Sequence, residues 1–99
     1  MGRDIYVECG HLDYYGGKHS DLIMAFDRFF VEFPQYSAGE TIYYHTKLTK
    51  KEMNQALEFI KKDILLNSKL YRNANELLER INNIYTYMMP NDFVEVWTC

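Results

Sequence analysis

The sequence predicts a small α+β domain, a sheet of about three strands with three helices packed on it, in the order β-α-β-α-α-β. Two observations carry this. Three short segments (4–9, 41–47 and 92–99) are β-branched and aromatic and alternate in polarity, as half-buried strands do. Three longer segments between them repeat apolar residues at helical spacing. With 99 residues the chain makes one domain spanning 1–99, long enough to fold around a single core.

The first strand is "DIYVEC". Ile5, Val7 and Cys9 alternate with Tyr6 and Glu8, and Gly10 ends the run. Residues 10–19 hold three glycines and read as a loop presented at the surface. Ser20 is a candidate N-cap and Asp21 suits a first helical turn. Leu22, Phe26, Phe29 and Phe33 follow at helical spacing until Pro34, and "PQYSAGE" makes a turn.

The second strand is "TIYYHTK", with Ile42, Tyr44 and Thr46 on one face and Tyr43, His45 and Lys47 on the other. Thr49 and Glu52 form a capping box ahead of the stripe Met53, Ala56, Leu57, Ile60 and Ile64. Residues 66–73 break that pattern. The third helix starts near Asn73 or Asn75 and ends near Met88, on the stripe Leu77, Ile81, Ile84 and Met88, before Pro90. "DFVEVWTC" then alternates Phe93, Glu95 and Trp97 against Val94, Val96 and Thr98. Helical stripes and strand faces absorb the six Phe together with Tyr85 and Trp97.

Charge is divided along the chain: net −4 over residues 1–46, +4 over 47–72 and −3 over 73–99. No apolar run reaches 18 residues and the N-terminal segment has no apolar h-region, so a cytoplasmic protein without a membrane span is expected. Two cysteines, Cys9 and Cys99, do not make a disulfide framework and are expected to be thiols.

The stretch "ECGHLDYYGGKHSDL" concentrates the reactive side chains. Cys9, His11 and His19 are the candidate metal ligands or thiol centre, but their spacing departs from the paired ligands of structural zinc sites. "GGKHS" is not a Walker loop, because Leu12 stands where the first glycine belongs and His19 where Ser or Thr belongs. His19, Ser20 and Asp21 are adjacent, whereas a triad converges across a fold. No cofactor and no enzymatic activity are expected.

Nucleic-acid binding through Lys50, Lys51, Lys61 and Lys62 is one alternative, opposed by a pI near 5.5. A small metal- or thiol-dependent module centred on Cys9, His11 and His19 is another. The preferred expectation is a protein-binding function. Tyr14, Tyr15, Tyr36, Tyr43, Tyr71 and Tyr87 have no evident core slot, and tyrosines are enriched at interface hot spots. The partner-binding candidates are Tyr14, Tyr15, Tyr36, Tyr43, Asp13 and Lys18.

Ile, Tyr, Asn and Lys make up 30 of 99 residues, the mark of AT-rich coding common in phages and mobile elements. The expectation is therefore a small inhibitor or regulator of a macromolecular partner. An anti-CRISPR-like phage antagonist of a nucleic-acid-binding host defence nuclease is its concrete form. A sheet edge or leftover aromatics also offer a route to a homodimer.

Overall fold

A computed structural model describes residues 3–9, 12–17, 19–37, 39, 40 and 42–99, with the backbone alone over 12–17. The α+β class and the order β-α-β-α-α-β hold, with one strand added after the first. The strands are β1 (Ile5–Cys9), β2 (Leu12–Gly17), β3 (His45–Thr49) and β4 (Phe93–Thr98). The helices are α1 (Ser20–Glu32), α2 (Lys50–Leu66) and α3 (Ala74–Met88). All four strands form one antiparallel sheet in the order β2-β1-β4-β3. Among the described residues no helix is long and apolar enough to cross a membrane.

The added strand corrects the reading of 10–19 as a loop. Glycines made the segment look like a turn, but β2 lies against β1 with Tyr15 opposite Tyr6 and Asp13 opposite Glu8. A ladder to a neighbouring strand outweighs local propensity here. His19, not Ser20, is the N-cap of α1, and its side chain makes no capping bond. The second strand begins later than expected, at His45. Tyr44 and Thr46 keep their inward parity, but Ile42 precedes the strand and is exposed.

The three helices cover one face of the sheet. Ile5, Val7 and Cys9 of β1, Leu48 of β3, and Val94 and Val96 of β4 point into that layer. They meet Phe26 and Phe29 of α1, Met53, Leu57 and Ile60 of α2, and Leu77, Ile81 and Ile84 of α3. Each such fully buried large side chain contributes about 1.5–3 kcal/mol. Phe29 is the aromatic hub, 5.7 Å from Phe59 edge-on and stacked 6.0 Å from Tyr36.

Polar ties orient the helices on this core. The Thr49–Glu52 capping box opens α2 as expected, and Asn73 caps α3 by accepting from Glu76 N–H. The Asp21 carboxylate accepts from the backbone N–H of Arg72 and Asn73, both at 2.8 Å, joining the start of α1 to the start of α3. Arg3 donates two bonds to Asp27, at 2.7 and 3.0 Å, fastening the chain before β1 to α1. Before β3, Gly39 takes φ +101 and bridges Tyr44; a β-carbon there would lie 3.2 Å from Tyr43 O.

Asp63 lies in the buried stripe of α2. It accepts from Arg28 at 2.7 and 2.9 Å, from Asn67 at 2.9 Å and from the Tyr71 hydroxyl at 2.6 Å. This corrects the placement of Tyr71 at the surface: it is buried, because Asp63 supplies the polar partner its hydroxyl needs. The Arg28 guanidinium first, then the Tyr71 hydroxyl and the Asn67 amide, hold the Asp63 carboxyl down at about 2, against the desolvation that raises it.

Candidate functional site

The expected site residues scatter. Asp13, Tyr14 and Tyr15 fall on edge strand β2, where only the backbone is described, while His11 and Lys18 lie outside the described residues. Tyr36 belongs to a short 3₁₀ turn, stacks on Phe29, and donates its hydroxyl to Gln55 at 3.2 Å. Tyr43 is exposed, with the Arg3 guanidinium 5.9 Å from its ring centre.

All four alternative nucleic-acid lysines sit on α2. Lys50 donates to the Met89 carbonyl, Lys61 stands 5.4 Å from the Tyr85 ring centre, and Lys51 and Lys62 are exposed. Cys9 faces the core, where burial pushes its thiol up to about 11. Cys99 lies beside Asp4, at the other end of β1, and both cysteines are free. His19 lines a cavity of about 160 Å³ with Asp21, Arg72, Glu76 and Arg80. Burial and then Arg80 lower its pKa, against a smaller raising effect of Glu76. No group of three or more His, Cys, Asp or Glu among the described residues could hold a metal ion.

What the fold does assemble is the second face of the sheet, which none of the described helices covers. Strand alternation sends Tyr6 and Glu8 of β1, His45 and Lys47 of β3, and Phe93, Glu95 and Trp97 of β4 to that side. Residues opposite one another on antiparallel strands share a face, so the register turns this set into rows. One row is aromatic: Tyr6, Trp97 and His45 occupy it across β1, β4 and β3. Tyr6 and Trp97 stack with centroids 4.2 Å apart and planes 18° from parallel. The next row is Glu8, Glu95 and Lys47.

At its edge the face dips into a recess of about 340 Å³ lined by Glu8, Lys47, Asn91, Asp92, Phe93 and Glu95. His45 Nε2 is 2.8 Å from Glu95, and Lys47 Nζ lies 4.6 Å from the Phe93 ring centre. This corrects the assignment of Trp97 and Phe93 to the core: Trp97 is half-buried and Phe93 is exposed, both on the open face. Alternation in the sequence already separated these residues from Val94 and Val96, but did not tell that one side of the sheet would stay bare.

Comparison with protein-family models, curated proteins and solved structures gives no match for this chain.

Proposed function

We propose that this chain is a non-enzymatic protein that binds a protein partner through the uncovered face of its sheet, and regulates or inhibits that partner by occupying its surface. The observation that carries the reading is the stacked Tyr6–Trp97 pair on a face without a helical cover. Amphipathic rings held by a rigid sheet present contact area at low entropic cost, as interface anchors do. In finer form, the partner is a nucleic-acid-binding host effector and the chain a phage or mobile-element antagonist of it. That form rests on the AT-rich coding bias and the net −4 over residues 1–46.

The nucleic-acid alternative draws less support from the geometry. Single-strand binding combines aromatic platforms with a basic groove. Here the stacked rings lie on the open side of the sheet, and Lys50, Lys51, Lys61 and Lys62 belong to the helical layer. The test is capture from cells of the source, comparing the wild-type chain with Tyr6→Ala/Trp97→Ala. The expected result is one specific protein retained by the wild type and lost by the variant, with circular dichroism unchanged. Equal retention by both would end the role of this face.

A further inference from the structure

We infer that the uncovered sheet face recognises a cationic segment of its partner, with an arginine or lysine side chain entering the recess beside Phe93 and its neighbours lying over Tyr6 and Trp97. The inference rests on the reading of this face as a binding surface and adds the chemistry of what binds. The charge pattern supports it. Glu8 and Glu95 stand directly opposite each other on β1 and β4, an arrangement that costs stability rather than adding it. Asp92 brings a third carboxylate to the recess, where Lys47 is the one cation among the described lining residues, leaving them a formal −2. Glu8 has no ion-pair partner among the described residues. Packing of the core explains neither Glu8 nor Glu95, since both lie on the side away from it.

The recess also contains an internal mimic of its ligand. The Lys47 ammonium is held 4.6 Å from the Phe93 ring centre, within the cavity that Glu8 and Glu95 line. An exposed lysine is tethered loosely and can swing out, so an incoming guanidinium could take its place over the ring and meet the carboxylates with more donors. The adjacent Tyr6–Trp97 stack adds aromatic surface against which further guanidinium groups pack. The same acids repel a phosphate backbone.

The sign of the Lys47 effect separates the two classes of partner. A cationic ligand competes with Lys47, so Lys47→Ala binds it more tightly. A nucleic acid would use Lys47, so the same variant would bind it more weakly. The experiment is calorimetric titration of the full chain with a ten-residue alternating Arg-Ser peptide, a Gln-Ser peptide of equal length and a ten-nucleotide oligothymidylate. Emission of the single tryptophan, Trp97, reports whether binding occurs at this face.

The expected result is saturable Arg-Ser binding that moves Trp97 emission and weakens with salt. It should tighten about two- to fivefold in Lys47→Ala and weaken about fivefold or more in Glu8→Gln/Glu95→Gln. Arg-Ser binding no stronger than Gln-Ser binding, weaker binding in Lys47→Ala, unmoved Trp97 emission, or preferential oligothymidylate binding would each overturn it. If partner capture depends on Tyr6 and Trp97 while the Arg-Ser peptide does not bind, the binding face stands and the cationic class alone fails.

Discussion

Replacing Asp63 with Asn keeps the shape of the side chain and removes its charge. In the wild type this carboxylate joins three segments: Arg28 on α1, Asn67 after α2, and Tyr71 before α3. Its pKa lies at about 2 against an ordinary 3.8, which corresponds to roughly 2 kcal/mol of stability at neutral pH. Asp63 is 8% exposed, so solvent screens little of this on its side, although Arg28 is 40% exposed.

Because the folded pKa is the depressed one, the contribution is fully present above about pH 4 and fades as pH falls through about 2. Urea unfolding of both proteins, followed by circular dichroism, measures the difference. Asp63→Asn should be about 2 kcal/mol less stable at pH 7, lowering Tm by roughly 8–16 °C for a domain of this size. The gap should narrow as pH falls from 4 to 2. A loss under about 0.5 kcal/mol at pH 7, or a gap that stays constant down to pH 2, would refute the charge-based account.

Other features make independent claims. Thr49→Ala removes one side of the capping box and should cost about 1 kcal/mol by the same unfolding assay; no change would mean that α2 does not need its cap. Phe29→Ala empties the aromatic hub and should cost about 3–5 kcal/mol, read as a large drop in the urea midpoint. Alkylation at pH 8 should label Cys99 quickly and Cys9 only after unfolding, because Cys9 is buried with its thiol raised to about 11; two equal rates by mass spectrometry would contradict that burial.

The parts of the fold legible in the sequence are those set by local chemistry. α2 announces itself by Thr49 and Glu52 and by its stripe, and α3 by Leu77, Ile81, Ile84 and Met88. β2 was not legible, because Gly16 and Gly17 are turn formers locally and only the ladder to β1 makes them strand. Tyr71 was misplaced because it lies between helices, where no periodicity assigns a face. One signal was present, since Asp63 falls three residues after Ile60 in an apolar stripe and an acid there requires partners. The binding face was half legible. Alternation sorted Tyr6 and Trp97 from the core strand faces, but which side the helices would cover depends on the packing of all three together.

The middle of the sheet joins residues far apart in the sequence. β1 and β4 are its central strands, and Asp4 and Cys99 exchange backbone hydrogen bonds at 3.0 and 3.1 Å. Among the described residues β3 has no other strand to pair with until β4 is made, and β1 has only β2. During synthesis, therefore, the sheet remains two separate pieces until β4 leaves the ribosome, while the helices between them can already form. Completing it demands the longest loop closure the described chain allows, so contact order predicts slow folding for so small a domain. The Asp4–Cys99 contact suits residues 3–99 to circular permutation: a short linker across that seam, with new ends cut into the 3₁₀ turn at Ser68–Leu70, would turn that late step into an early one.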